Sequence, residues 1–324
     1  MTTSPACPAV LTEDQVRKLL PLSAALEVTR DALIAQAQGK VTQPGPWHLD
    51  IPTSRGEVHV KGAWQHGAGY FAVKLATGFY GNGDKGLPVA SGLSIIADAT
   101  TGFPVAIALD NGYLTEARTA AAGALATDAL ARPDARVAAL IGPGMQGNAQ
   151  MQALLELRDL DELRVYGPNT TKTARFAEHM RTLHSWNVTI AATAEQAVRG
   201  AGIITTVTPT REPHIHGEWL ASGAHITAVG ADQPGKRELT SSALAAADVL
   251  AADDIDQARR NGELQYADPT GGQPRLVALG DVLAGTVPGR TSPADITIAD
   301  LTGLGVQDAA VGTAVALQLK QHIS

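Results

Sequence analysis

Residues 136–147 read RVAALIGPGMQG, and this stretch decides the fold. An apolar run, residues 137–141, meets Gly142-Pro143-Gly144-Met145-Gln146-Gly147, and a helix-like segment follows over residues 148–157. The pattern describes a buried strand that stops at a tight glycine turn opening a helix. In such a turn the first glycine permits the bend, the second lets backbone approach a pyrophosphate, and the third lets helix and strand pack closely. The helix start then offers unpaired N–H groups to phosphate. A lone glycine motif is weak evidence. Repeated strand–helix units after it make it specific.

Such units follow. Residues 163–166, 188–191, 202–208, 225–230, 249–251 and 295–299 read as strands, and 170–183 and 194–199 as helices. Strands at this spacing, separated by helices, argue for a parallel doubly wound sheet. A final amphipathic helix is expected over residues 306–321. The chain before the motif reads differently. Thr12-Glu13-Asp14-Gln15 is a capping box for a short helix through Leu20, and a second helix spans residues 22–38, closed by Gly39. From Glu57 onward period-two runs dominate: Val58 and Val60, then residues 70–73, 93–96 and 105–109, separated by turn chemistry at 81–84 and 98–102. This part is a mostly antiparallel sheet with two leading helices. An alanine-rich helix over residues 115–130 ends at Arg132-Pro133-Asp134.

Composition narrows the class. At 324 residues the chain has room for about two domains at roughly 100–200 residues each. Hydrophobic residues at 44% and charged residues at 18% describe a globular protein with a sizeable core. A net charge of −7 with no basic run speaks against nucleic acid as the main partner. The single cysteine, Cys7, forms no internal disulfide, which fits a reducing compartment. The start MTTSPACPAV lacks a basic segment before an apolar core, and no stretch approaches the ~18–20 apolar residues of a membrane span. The expectation is a cytoplasmic protein without membrane partners.

A dinucleotide fold names no reaction, so the candidates for chemistry lie elsewhere. Arg118 stands early in the helix expected from Thr115, where a cation opposes the helix dipole unless an anion sits beside it. The alternative is an exposed or salt-bridged arginine. Lys74 follows the run 70–73 and either snorkels at a sheet edge or supplies a charge to a cleft. His59 and Lys61, two apart on a strand, share one face, with Val58 and Val60 on the other; that polar face is either solvated or functional. Asp232, in GADQPGKREL, follows the strand 225–230 at its carboxyl end, where open α/β sheets bind ligands. It is a candidate proton relay, or else a turn aspartate. His214 and His216 have no cysteine or acid at metal spacing, so no metal site is expected. Asp253, Asp254 and Asp256 read as a solvated loop.

Several separated segments coincide with one family. VKLATGFYGN around Lys74, LTEARTAAAGALAT around Arg118, IGPGMQGNAQ, GAGIITTVTPT, GAHITAVGADQPGKREL and DITIADLTGLGVQDAA occur in the family's order. The chain thus resembles the ornithine cyclodeaminase/μ-crystallin family over nearly its whole length. The resemblance implies a Rossmann NAD(P)-binding domain, residues 132–302, and an α+β substrate-binding and dimerisation domain, residues 1–131 with 303–324. It implies a homodimer formed through the substrate-domain sheets. Lys74 and Arg118 would hold a substrate α-carboxylate beside the nicotinamide, and Asp232 would act on the amine as acid/base. For the cofactor it implies Gly142, Gly144, Met145, Gln146, Gly147, Asn169, Thr170, Thr206 and Thr208, with Arg118 and Thr119.

Two departures shape the expected substrate. The family's further carboxylate-binding arginine is replaced by Pro46 or Trp47. The acid that ornithine cyclodeaminases place at the distal ammonium falls at about His59, and a neutral position falls at Lys61. A cation there repels a distal ammonium, so Lys61 is assigned to a carboxylate or polar group, with His59 beside it. The second nucleotide strand ends Tyr166-Gly167-Pro168-Asn169-Thr170 with no acid, which leaves NAD versus NADP undecided. The sequence therefore points to an NAD(P)-dependent imine reductase or amino-acid dehydrogenase acting on a small α-amino or α-imino acid. A cyclodeaminase and a crystallin-like NAD(P)H-dependent binder are the alternatives, and the acid at Asp232 favours a catalyst.

Overall fold

The computed structural model describes residues 7–184, 186–267 and 274–323. The first six residues, read above for a leader, lie outside these. In chain order come β1 (Ala9–Thr12), α1 (Glu13–Leu19), α2 (Leu22–Ala37), β2 (Val41–Thr42), β3 (Trp47–Ile51), β4 (Gly56–Gln65), β5 (Tyr70–Phe79), β6 (Ala90–Asp98), β7 (Pro104–Leu109) and α3 (Tyr113–Leu130). There follow β8 (Val137–Ile141), α4 (Met145–Leu155), β9 (Glu162–Tyr166), α5 (Thr170–Leu183), β10 (Asn187–Ile190), α6 (Ala194–Val198), β11 (Ile203–Thr206) and β12 (His225–Ala228). The last are α7 (Ser241–Ala245), β13 (Val249–Ala252), α8 (Ile255–Asn261), β14 (Arg275–Ala278), α9 (Leu279–Leu283), β15 (Thr297–Asp300) and α10 (Gly305–Ile323). They form two compact units. One runs to Arg118 and resumes at Leu304; the other spans Thr119–Gly303, the boundary falling inside α3.

In the first unit the strands run in the order β1-β7-β6-β5-β4-β2, with β3 also paired to β4. All pairs are antiparallel except β1 with β7. The expected capping box starts α1: the Gln15 Oε1 accepts from the Thr12 N–H at 2.9 Å. Because side chains alternate along a strand, cross-strand register assigns the two faces. One face carries Lys61 opposite Lys74 and Lys74 opposite Ser94, with Ala63, Ala72 and Ile96 in line. The helix α10 packs on this face so closely that a Cβ at Gly312 would come within 3.0 Å of Ala72 Cβ and 3.1 Å of Ile96 Cγ1. The other face carries the row Trp47–Val60–Leu75–Leu93 and the row Val73–Ile95–Ile107–Val10. This apolar face is the exposed one, with Trp47 at 54%, Ile95 at 41% and Val73 at 39%. The polar face, which the sequence left as either solvated or functional, is therefore the covered face.

The second unit is a parallel sheet in the order β10-β9-β8-β11-β12-β15-β13-β14. Its strands are apolar on both sides, as sheets covered on two faces require. Leu140, Leu163, Val165 and Ile203 pack with α4 and α5 residues Met151, Leu154, Phe176 and Met180. Ile141, Ile204, Ile226, Leu250 and Ile298 pack on the opposite side with Ala197, Val198 and Leu244. Strand order runs outward in opposite directions from β8 and β11, so the topological switch point lies between their carboxyl ends.

Polar groups also lie inside this unit. His225 is fully buried, its ring nitrogens 2.9 Å from the hydroxyls of Thr297 and Thr227, and burial lowers its pKa to about 3. The expected solvated loop is overturned at Asp253 and Asp254, while Asp256, in the first turn of α8, is exposed as expected. Asp253 is buried and accepts from Thr302 Oγ1 at 2.9 Å and Gly303 N at 2.7 Å, while Asp254 caps α8 by accepting from Gln257 N. Close by, Glu263 accepts from the N–H groups of Glu238 and Leu239, and Asp300 from that of Leu264. Burial and then mutual repulsion push Glu263 to about 8; burial first, with Asp253 and Glu238 adding, pushes Asp300 to about 7. A carboxyl raised in this way binds its proton more tightly folded than unfolded. Its stabilisation is full below the unfolded value and is lost as pH rises through 7 to 8. The thermal midpoint measured by calorimetry is therefore expected to fall between pH 6.5 and 8, an interval in which His225 stays neutral. Asp300→Asn should flatten that slope; a midpoint that climbs over the interval would contradict the assignment.

Candidate functional site

The first unit gathers cations. Lys61 on β4 and Lys74 on β5 are direct cross-strand partners on the covered face, 7% and 3% exposed. β5 continues to Phe79 instead of ending at Val73, so Lys74 is central and buried and does not snorkel at an edge. Its Nζ donates to Thr115 Oγ1 at 3.3 Å and lies 3.6 Å from Asp308 Oδ1. Arg118, 4% exposed, donates from Nε to the same Asp308 oxygen at 3.0 Å and from Nη1 to Gln307 Oε1 at 3.0 Å. α3 begins at Tyr113, so Arg118 stands in its second turn, salt-bridged by a residue of α10. Asp308 Oδ2 and Gln307 Nε2 are buried without a protein partner among the described residues. Buried polar atoms are paired in most proteins, and unpaired ones mark places where a ligand or water belongs.

His59 shares this face with Lys61 and is nearly covered, its side chain 12% exposed. Its Nε2 lies 3.6 Å from Glu57 Oε1, to which Tyr80 Oη donates at 2.7 Å. Glu57 was not singled out in the sequence, yet it puts an acid on the face where none was expected. Across the hairpin the His48 ring sits 4.7 Å from that of His59, and His48 Nε2 lies 2.9 Å from Asp50 Oδ1. Trp47 pairs with Val60 on the exposed face, so its ring does not replace the missing arginine among the lysines.

The second unit holds the dinucleotide cradle. Gly142 has φ +108°, and a Cβ there would lie 2.6 Å from the Val207 carbonyl oxygen. A Cβ at Gly147 would lie 2.4 Å from the Gly142 carbonyl. Gly144 is different: apart from its two chain neighbours, no atom of the described residues comes within 4 Å of where its Cβ would be, so a side chain would intrude on what the turn binds. Gly144 is also the N-cap of α4 and offers no capping side chain to the N–H groups of Met145, Gln146 and Gly147. Beside the turn opens a cavity of about 880 Å³, lined by Gly142, Gly144, Asn169, Lys172, Thr208 and His214 among others. Its size and glycine floor suit an extended phosphate-bearing ligand such as a dinucleotide.

Not every expected cofactor residue reaches that cavity. Met145, Gln146, Gly147 and Thr170 belong to the first turns of α4 and α5 and are absent from its lining. Asn169 lines it, but its side-chain oxygen is committed to capping α5 through the Lys172 N–H at 2.9 Å. Thr206 is fully buried and its hydroxyl donates to Glu238 Oε2 at 2.8 Å, so it serves the wall and not the cavity. Thr119 gives its carbonyl to the buried Gln150 Nε2 at 3.0 Å. Asp232 lies four residues beyond β12, and Lys236 Nζ, on a nearly buried side chain, donates to its Oδ1 at 2.9 Å. Glu57, Gln307, Asp308 and Glu238 carried no signal in the sequence beyond lying in or near the shared segments. Among the described residues no group of three or more histidine, cysteine or acidic side chains is placed to hold a metal ion, and no helix is long and apolar enough to cross a membrane.

Comparison with known proteins accords with this geometry. A curated relative from Sinorhizobium fredii, described as an uncharacterised cyclodeaminase, is 43% identical over 94% of this chain and 93% of its own length. The structure of an archaeal alanine dehydrogenase dimer with bound NAD superposes with a TM-score of 0.88 at 33% identity, covering 98% of this chain and 97% of that one. The Δ1-pyrroline-2-carboxylate reductase of Thermococcus litoralis, in complex with NADH and L-proline, gives 0.90 at 26% identity, covering 97% and 98%. The family model for ornithine cyclodeaminase/mu-crystallin matches residues 7–322, and the chain belongs to that family.

Proposed function

We propose that this protein is an NAD(P)-dependent oxidoreductase acting at the carbon–nitrogen bond of a small α-amino or α-imino acid, with imine reduction as its main direction. The observation that carries the reading is the meeting of Lys74 and Arg118 at one buried point, in a chain that also holds a dinucleotide cradle. Lys61, Lys74, Arg118 and Asp308 sum to a net positive charge, which suits a substrate carboxylate. Residues 1–131 and 303–324 are assigned to substrate binding and dimerisation, and 132–302 to the dinucleotide. A cytoplasmic reaction fits a cofactor drawn from the cell's NAD(P)(H) pool.

In this mechanism Lys74 and Arg118 hold the α-carboxylate and so orient Cα and its nitrogen, with Lys61 and His59 facing the remainder of the substrate. Nicotinamide, when bound, supplies a hydride to Cα in reduction and accepts it in the reverse direction. Asp232 exchanges the accompanying proton with the nitrogen, directly or through water, and Lys236 fixes the carboxylate that does so. The C=N double bond thus becomes a C–N single bond, with one hydride at carbon and one proton at nitrogen. Glu57 favours a second reading. An acid on the face of Lys61 and His59 could take a distal ammonium, as a cyclodeaminase needs.

We also propose a homodimer formed through the exposed face of the first sheet. Val10, Trp47, Val73, Leu75, Ile95 and Leu109 are all more than a third exposed there, and one sheet face carrying so many large apolar side chains marks an association surface.

An assay with cyclic imines, dicarboxylic imines and 2-oxo acids plus amine should oxidise NADH or NADPH in step with product. A cyclodeaminase would instead release ammonia from diamino acids with no lasting absorbance change, and dinucleotide binding with neither activity would make the protein a binder. Asp232→Asn should retain dinucleotide affinity and lower turnover by at least ~10²-fold; undiminished turnover would remove its acid/base role. The double variant Val73→Glu, Ile95→Glu should elute as a monomer in size-exclusion chromatography with light scattering. A persistent dimer would place the interface elsewhere.

A further inference from the structure

Glu238 lies in the second unit and is completely buried. Its Oε1 accepts from the Thr208 N–H and the Thr208 hydroxyl, both at 2.7 Å. Its Oε2 accepts from the Thr206 hydroxyl at 2.8 Å and the Gly230 N–H at 2.7 Å. Four donors therefore converge on one carboxylate from the carboxyl ends of two adjacent strands, β11 and β12. Glu238 is held in turn: Glu263 accepts from its backbone N–H and from that of Leu239.

The two segments it joins are the ones the proposed reaction uses. Thr208 lines the cavity, and the Val207 carbonyl beside it is the atom against which Gly142 is fitted. Gly230 stands two residues before Asp232. A Cβ at Gly230 would fall 2.2 Å from the Thr208 carbonyl oxygen and 2.5 Å from Glu238 Cδ, so the three groups are in direct contact.

We propose that Glu238 is a positioning residue of the enzyme, which fixes the cofactor wall at Thr208 and the Asp232 loop to one another. The proposal rests on the function assigned above. The chemistry requires a carboxylate. Two of the four donors are backbone N–H groups, one on each oxygen, and neither can turn round to become an acceptor. A glutamine offers one carbonyl oxygen and one NH2 group. Whichever way its amide is turned, NH2 faces a backbone N–H and one of these donors is left unpaired inside the protein.

The test uses the full-length protein and direct fluorescence titration with NADH and with NADPH, followed by kinetics and thermal melting. Glu238→Gln should weaken binding of the preferred dinucleotide by about tenfold or more and lower kcat, since a hydrogen-bonded buried charge is lost. The KM for the imino acid should hold, because Lys74 and Arg118 are untouched. Asp300→Asn removes another acid of the same buried cluster but no donor–acceptor pair at Thr208 or Gly230, and it should leave the affinity unchanged. A Glu238→Gln protein that melts earlier yet binds dinucleotide and turns over like the parent would overturn the proposal and leave a purely structural role. Equal loss of affinity in Asp300→Asn would overturn it as well. If Glu238→Gln does not fold, Thr206→Val removes one of the four donors without reaching the cavity. A loss of affinity of about threefold supports the proposal and an unchanged affinity sinks it. A parent protein that binds neither dinucleotide would remove the cofactor reading itself, a result visible before any variant is made.

Discussion

The close approach of one carbonyl oxygen to one glycine sets the geometry of the nucleotide unit. The Val207 carbonyl leaves no room for a side chain at Gly142, and that residue's φ of +108° excludes most side chains on backbone grounds too. Strand β8 can therefore turn directly beside the end of β11. This is where strand order reverses, and a doubly wound sheet opens a crevice at that point. The cavity and the bare first turn of α4 lie beside that contact, and Glu238 ties the segment that carries Val207 to Gly230.

The first unit depends on a different constraint, the cost of keeping charge out of water. Lys61 and Lys74 lie on a sheet face covered by α10, Arg118 comes from α3, and Asp308 on α10 meets Lys74 and Arg118. Apolar side chains meanwhile occupy the open face. A sheet built for its own stability alone would place these faces the other way round. The inversion costs stability and fits the two roles proposed above, a site for a substrate carboxylate and a surface for a second subunit.

The sequence made the second unit legible because its signals are local. A glycine turn, continuous apolar strands and helix caps each fall within about ten residues, and the strands lie close to where they were expected. The short strands β1, β3 and β14 were missed. Site residues divided along the same line. Lys74 and Asp232 stood out against their neighbours, whereas Asp308 and Glu238 matter through partners 190 and 32 residues away, separations no local pattern reports. At Val58 and Val60 a related limit holds: alternation tells which residues share a face but not which face the chain later covers. Asp253 looked like a solvated loop because its partners, Thr302 and Gly303, arrive some fifty residues later.

That late arrival has a consequence for how the protein is made. The first unit is assembled from both ends of the chain, with α10 laid against strands synthesised more than two hundred residues earlier. As a ribosome delivers the chain from its amino end, the antiparallel sheet emerges with Lys74 and Arg118 present and Asp308 still unmade. The nucleotide unit, contiguous in sequence, has everything it needs before then. Birth order thus makes the Rossmann half the first finished part and leaves the charge cluster waiting for α10. Premature termination, or a carboxyl-terminal fusion that holds α10 away, would leave the cofactor fold intact and the charge cluster incomplete.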